Sequence, residues 1–191
     1  MKLHLSYYKS DDVVGLAKDL IGKELFTNIN GIITSGIISE TEAYAGATDK
    51  ASHAYGGRRT KRTETMYKPG GRTYVYLCYG IHYLLNIVTA GKDQADAVLI
   101  RGIIPRTGIE AMYARSKKHK LKGLSDGPAK VCKVLGVNIS HNDLMLDSNR
   151  VWIEDNNFDA AEYTISISRR IGIDYAGEDA KLPYRFLLRV C

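Results

Sequence analysis

Two stretches of this chain alternate or mass β-branched and aromatic residues on either side of a glycine turn, and that pattern narrows the folds open to it. Thr73 to Tyr79 and His82 to Thr89 are dense in tyrosine, valine, leucine and isoleucine around Gly80, which predicts an antiparallel hairpin. Lys23 to Thr27 and Ile32 to Thr41 repeat the arrangement around the polar link Asn28-Ile29-Asn30-Gly31, a second hairpin signal. Further strands are expected at Ala97 to Ile104, Val151 to Glu154, Ile165 to Arg169 and Phe186 to Val190.

Helical signals fall between and before these runs. Ser10-Asp11-Asp12 precedes Val13, Val14, Leu16, Ala17, Leu20 and Ile21, with Gly22 at the end, a capped amphipathic helix. A helix is expected from about Thr107 to His119, and Asp126-Gly127-Pro128 opens another through Leu135, with Pro128 suited to its first turn. Strands joined mostly by hairpins, with helices at the ends and middle, predict an α+β fold with a largely antiparallel sheet. The length of 191 residues suits a single domain over residues 1–191.

Composition excludes several classes. No apolar run approaches the roughly 18–20 residues of a membrane-spanning helix, and Met1-Lys2-Leu3-His4 lacks an apolar leader core. A cytoplasmic location with no membrane association is expected. Cys78, Cys132 and Cys191 form an odd, scattered set, which suggests neither a disulfide framework nor a zinc site, so no metal or cofactor is expected.

The chain carries 27 basic and 21 acidic residues, a net +6. Their placement says more than the sum. Arg58, Arg59, Lys61, Arg62, Lys68 and Arg72 fall in a glycine-rich loop running from Ala45 to about Arg72, and Arg115, Lys117, Lys118, Lys120 and Lys122 in another. These are either two solvated loops or a face that attracts a polyanion.

Strand alternation in Ile32 to Thr41 places Ile38 and Glu40 on one face, joined by Glu42 and Tyr44 if the strand continues. Two carboxylates on an apolar row need a cationic partner, a raised pKa or an open cleft. Arg101, inside the apolar run Ala97 to Ile104, is the simplest partner. Asn86 likewise interrupts Leu84-Leu85-Asn86-Ile87-Val88, as a satisfied core amide or a reader of a polar edge. Of 13 tyrosines, five (Tyr67, Tyr74, Tyr76, Tyr79 and Tyr83) crowd together after the basic loop. Rings beside cations suit nucleic acid, the cations neutralising phosphate while rings stack on bases. Tyr79 sits at the hairpin tip, where its own sheet cannot bury it, whereas Tyr74 and Tyr83 read better as core. His53 alone reads as a surface or capping residue. Asp126-Gly127-Pro128-Ala129-Lys130 is a helix start or an anion seat.

The ordered set Glu40-Thr41-Glu42-Ala43-Tyr44, His53, Gly56-Gly57-Arg58, Tyr74-Val75-Tyr76, Tyr79-Gly80, Asn86 and Arg101 closely resembles the alkyladenine (3-methyladenine) DNA glycosylase family. Gly127-Pro128-Ala129-Lys130 and Asp174-Tyr175-Ala176-Gly177-Glu178 fit it too, so the likeness runs from about Val14 to the end. The resemblance implies one α+β domain with a curved, largely antiparallel β-sheet flanked by helices. It also implies a monomer without metal or redox cofactor whose partner is double-stranded DNA containing damaged purines. Because the glycosidic bond is inaccessible inside a duplex, the nucleotide must be rotated outward.

By resemblance, Tyr79 intercalates in the gap, Tyr44, His53 and Tyr76 sandwich the extruded purine, and Asn86 sets lesion selectivity. Glu42 matches the general base that, with Arg101 and a main-chain carbonyl near Ile171, holds the attacking water. Glu40 becomes structural. Arg58, Thr60 and Lys130 match positions that grip phosphates. Thr63 stands where the family often has asparagine, and Tyr67 where phenylalanine is common. Set against this, a binding module would keep the loops and rings but treat Glu42 and Arg101 as a structural pair. A glycosylase with lyase activity would need a lysine in the pocket, and a carbohydrate hydrolase would leave the basic loops and the tip tyrosine unexplained.

Overall fold

In the computed structural model, which describes residues 1–156, 158 and 163–190, eight strands form one antiparallel sheet among the described residues. In chain order the elements are α1 (Val13–Asp19), β1 (Glu24–Ile29), β2 (Ile32–Tyr44), β3 (Arg72–Cys78), β4 (His82–Val88) and β5 (Ala97–Thr107). Then follow α2 (Ile109–Ser116), α3 (Pro128–Leu135), β6 (Val151–Glu154), β7 (Tyr163–Ser168) and β8 (Arg185–Val190). The main path runs β3-β4-β5-β2-β1-β6, with β8 joining β2 and β7 outside it. The architecture is α+β with a curved sheet, as expected.

Both anticipated hairpins are present. β1 and β2 turn through Asn30 (φ 54°) and Gly31 (φ 79°), the two left-handed positions of a type I′ turn. The link is thus tighter than the four residues expected. α1 is capped by the Asp12 carboxylate, which accepts the Gly15 N–H at 2.8 Å. The helix expected over 107–119 is shorter, because Gly108 (φ 72°) and Lys117 (φ 60°) take left-handed backbone at its two ends. β5 instead extends to Thr107, with Pro105 beside a register shift at Gly36, where a missing N–H is tolerated. Cys78 is half-buried and Cys132 buried, both free thiols; Cys191 lies outside the described residues.

One sheet face carries the main core. Ile38, Ala43, Val75, Leu85, Ile87, Val98 and Ile100 are buried there, under α1 on β2 and α3 on β4 and β5. The Thr41 hydroxyl, donating to Ala17 O at 2.7 Å, ties β2 to α1. Arg115 is no solvated loop residue. Its Nη1 donates to Val134 O at 2.9 Å and Thr34 Oγ1 at 3.1 Å, pinning α2 to α3 and β2.

The shared face expected for Ile38, Glu40 and Glu42 is not what forms. Ile38 pairs with Ile103 and Glu40 with Gly102, so Ser39 is an extra residue on β2; Thr41 then pairs with Ile100, so Arg101 is extra on β5. Each bulge reverses the alternation of its own strand. An unbroken β2 would drive Glu40 and Glu42 into the core beside Ile38. The bulge leaves Ile38 and Ala43 in the core and turns both carboxylates to the opposite face. The second bulge does the same for Arg101 relative to Ile103. At this point β2 also changes neighbour, leaving β1 after Ile37 and meeting β8 at Glu40 to Glu42.

Candidate active site

The face opposite the core lines a cavity of about 430 Å³. β3 contributes Tyr74 and Tyr76, β4 Leu84 and Asn86, β5 Ala97, Leu99 and Arg101, and β2 Tyr44. The loop after β2 brings in Ser52 and His53, and the segment after β7 brings in Ile171 to Ile173. Eight of the positions singled out from the sequence meet here. Tyr44, His53, Tyr76, Tyr79, Asn86, Arg101 and Ile171 line the cavity, and Glu42 is hydrogen-bonded to two of them.

Glu42 is fully buried, at 0% exposure. Its Oε1 accepts the Ile171 main-chain N–H at 2.8 Å, and its Oε2 accepts the Tyr44 hydroxyl at 2.8 Å. Arg101 Nε stands 3.3 Å from Oε1. Burial raises the Glu42 pKa, and Arg101, the Ile171 N–H and Tyr44 offset this only in part. A carboxylate offers about four lone-pair sites, so each oxygen keeps capacity to accept from one more donor.

Glu40 has a different environment. Its Oε1 takes Arg101 Nε at 2.8 Å and Arg185 Nε at 2.6 Å. The single Nε proton of Arg101 therefore points to Glu40, and its attraction to Glu42 is electrostatic. Burial would lower the Arg101 pKa, but Glu42 and Glu40 outweigh it, and the guanidinium is held charged.

The rings form a connected group. His53 Nδ1 lies 2.9 Å from the Tyr74 hydroxyl, and its ring meets Tyr76 edge-on at 4.6 Å between centroids. Burial, with Arg62 and Arg58 nearby, lowers the His53 pKa to about 4. His53 is thus a neutral ring in the cavity wall and not the surface or capping residue its sequence context suggests. The Arg62 guanidinium lies over Tyr76 at 4.9 Å. Asn86, 5% exposed, donates Nδ2 to Tyr74 O at 3.1 Å. Tyr74 is core-like, as expected, but its hydroxyl serves the site.

Tyr79 stands at the cavity rim, 91% exposed, with Leu77 and Ile81 exposed beside it. Ile81 N–H closes the turn onto Cys78 O at 3.1 Å. Tyr79 (φ 49°) and Gly80 (φ 73°) are its two left-handed residues. Such a conformation is unfavourable for a bulky side chain, so this ring is held outward at a conformational cost.

Arg58 and Thr60 line a neighbouring cavity of about 370 Å³ with Lys50, and Ser52, His53, Arg62 and Tyr175 are shared between the two. Thr63 organises this loop: its Oγ1 accepts the Thr60 N–H at 2.8 Å and donates to Arg58 O at 3.1 Å. Arg59 is engaged elsewhere, with Glu64 and Asp93 each at 2.7 Å. Lys130 does not line either cavity. It sits in the first turn of α3, paired with Asp126 at 2.6 Å. The preceding Gly127 N–H donates to Arg101 O at 2.9 Å, which seats the helix start against β5.

Sequence reasoning missed Arg170, Asp49 and Arg185. Arg185 differs little from any strand-end arginine in sequence, and the Arg170–Asp49 pair joins residues 121 apart.

The site is a buried carboxylate beside a cavity walled by tilted and edge-on rings, edged by arginines and fronted by an exposed tyrosine. Residues 6–191 match the family model for methylpurine-DNA glycosylase, and the chain belongs to that family. A protein of Clostridium perfringens (strain 13 / Type A), provisionally named 3-methyladenine DNA glycosylase, is 43% identical over 99% of this chain and 96% of its own length. A provisionally so-named protein of Chlamydia felis is 46% identical over 97% and 95%, and one of Bacillus cereus 42% over 95% and 92%.

Proposed function

We propose that this protein is a base-excision repair DNA glycosylase of the monofunctional kind. It rotates alkylated or deaminated purines (the 3-methyladenine, 7-methylguanine, hypoxanthine and ethenoadenine class) out of duplex DNA and hydrolyses the N-glycosidic bond. The observation that carries this reading is Glu42: fully buried, held at both oxygens, and flanked by Arg101 beside an aromatic cavity.

In this reading Glu42 takes a proton from water as the water attacks C1′ and the purine departs with the bonding pair. The same negative charge stabilises the oxocarbenium-like transition state. Arg101 and the main-chain carbonyl of Ile171 orient the water. A base alkylated to a cation leaves readily, whereas neutral hypoxanthine needs protonation or strong hydrogen bonding as it leaves. Tyr44, His53 and Tyr76 enclose the purine, with cation–π attraction favouring a cationic one. The neutral state of His53 supports this, since an imidazolium would repel such a base. Asn86 excludes the guanine amino group, Tyr79 fills the vacated stack, and Arg58, Thr60 and Lys130 contact phosphates. Among the described residues no lysine lines the main cavity, which supports water over a Schiff base as nucleophile.

The test uses duplexes each carrying one of these lesions, with released base measured for the wild type and for Glu42→Gln. Loss of general-base catalysis should lower release by about 10²–10⁴-fold with duplex binding intact and no borohydride-trapped adduct for either protein. Near wild-type release by Glu42→Gln, or efficient trapping, would refute the mechanism.

A further inference from the structure

We infer that the buried Arg170–Asp49 ion pair is a positioning device that sets the two halves of the active site together, the Ile171 N–H on Glu42 and the Tyr44 ring beside the purine. The inference rests on the reading of Glu42 as general base.

The two side chains are 0% and 1% exposed. Both Arg170 Nη atoms grip Asp49, with Nη2 to Oδ1 at 2.9 Å. The same fork donates to Ala43 O at 2.9 Å and Asp179 O at 3.1 Å. The guanidinium also lies over two rings, 4.8 Å from Tyr44 and 5.3 Å from Tyr184. One group thus ties the end of β2, the loop after it, the Asp174–Lys181 turn and the approach to β8.

Asp49 has no acceptor to spare. Its Oδ2 takes Ala45 N–H at 3.2 Å and its Oδ1 takes Ala51 N–H at 2.9 Å, beyond the two bonds from Arg170. All four lone-pair sites are filled, so Asp49 holds a geometry and takes no part in proton transfer. The loop it fixes carries His53 four residues on.

A buried ion pair is a poor source of stability, since apolar side chains of similar volume often do as well. Its fork does supply direction. Arg170 immediately precedes Ile171, so the guanidinium that is locked to Asp49 and Ala43 also sets where the Ile171 N–H meets Glu42 at 2.8 Å. The groups facing Glu42 are Arg101 from β5, Glu40 and Tyr44 from β2, Ile171 N–H and the Arg170 charge from the segment after β7, and Arg185 opposite on β8. Loosening Arg170 withdraws two influences that favour the ionised base. Glu42 then binds its proton more tightly, and the acid limb of activity moves to higher pH.

The experiment follows base release in single turnover, enzyme in excess over lesion duplex, across pH for wild type, R170M, R170K and D49N. Thermal unfolding and duplex affinity are measured alongside. We expect release by R170M to fall about 100-fold, the scale of a misplacement near 1 Å, with unchanged duplex affinity and an acid limb displaced upward. D49N, in which an amide NH2 replaces one of the two oxygens that accept from Arg170, should loosen the fork and displace the limb in the same direction, and it carries the test should R170M not fold. R170K, restoring charge without the fork, should recover the limb better than the rate. Base release whose acid limb these variants leave in place overturns the proposal alone. Absence of release by the wild type overturns the parent reading and this one with it.

Discussion

Glu40→Gln separates the two carboxylates. In the folded protein Glu40 and Glu42 face Arg101 and Arg185, two negative charges against two positive, and Glu40 Oε1 accepts both arginine Nε groups at 2.8 and 2.6 Å. Hydrogen bonds to charged groups contribute about 1.5–3 kcal/mol each, and a neutral acceptor retains roughly half of that. The three side chains are 10%, 11% and 19% exposed, so solvent screens them little. The substitution should therefore destabilise the fold by about 1.5–3 kcal/mol, roughly 3–12 °C in melting temperature for a domain of this size.

Chemistry should survive that loss, because neither hydrogen bond to Glu42 involves Glu40. Arg101 Nε, freed from its stronger partner, can turn to Glu42 Oε1 only 3.3 Å away, and a nearby negative charge that raises the Glu42 pKa is gone. Both changes favour the ionised base, so the acid limb of single-turnover base release should move to lower pH, with the plateau rate within about tenfold of wild type (~1.4 kcal/mol). Urea unfolding and a pH series of base release check the two halves. A folded Glu40→Gln protein without excision would make Glu40 a second catalytic carboxylate and refute the division of roles.

Three other substitutions follow from the same geometry. Glu42→Gln should unfold at a higher temperature than the wild type at neutral pH. Burial holds the folded pKa of Glu42 above its ordinary value of 4.5, so ionisation withdraws stability as pH rises through the folded value; equal melting temperatures at pH 8 would refute this. Tyr79→Gly should gain stability, of order 1 kcal/mol from relief of the left-handed backbone, yet lose excision from duplexes more than from single strands; equal losses on both would count against intercalation. His53→Gln should lower the rate without moving any limb between pH 5 and 8, since His53 titrates near 4; a limb lost from that window would show that the imidazole is protonated in use.

The hairpins, the capped first helix and the strand identities were legible because each depends on local signals: alternation, a glycine at positive φ, an aspartate three residues before the N–H it caps. The boundaries moved where the deciding contact was remote, as with Pro105, whose place in β5 depends on Gly36 across the sheet. Glu42, Asn86, Arg101 and the tyrosines of the site were visible for a similar reason, as each carries its chemistry in its side chain, whereas Ile171, which meets Glu42 through its main-chain N–H, and the role of His53 were reached only through the family resemblance. Their arrangement was not. Alternation alone put Glu42 with Ile38, and nothing local marks Ser39 and Arg101 as extra residues. Arg170 and Asp49 stayed hidden because a buried pair is recognisable only from both ends.

The opposed bulges solve a problem that a regular sheet cannot. A strand long enough to cross this domain has one face in the core, and a carboxylate placed on it must be sent to the other face without sacrificing the apolar residues before it. One extra residue on β2 achieves this but throws the pairing with β5 out by one. The second extra residue, Arg101 on β5, restores the register from Thr41 and Ile100 onward and projects a cation to the same face as the acids. The glycine between them is crowded as a result: a Cβ on Gly102 would lie 3.0 Å from Ser39 Oγ and 3.1 Å from Glu40 Cβ. Correcting the register and supplying the counter-charge are thus a single structural event, and the residue that performs it is the one that neutralises Glu40 and lies against Glu42.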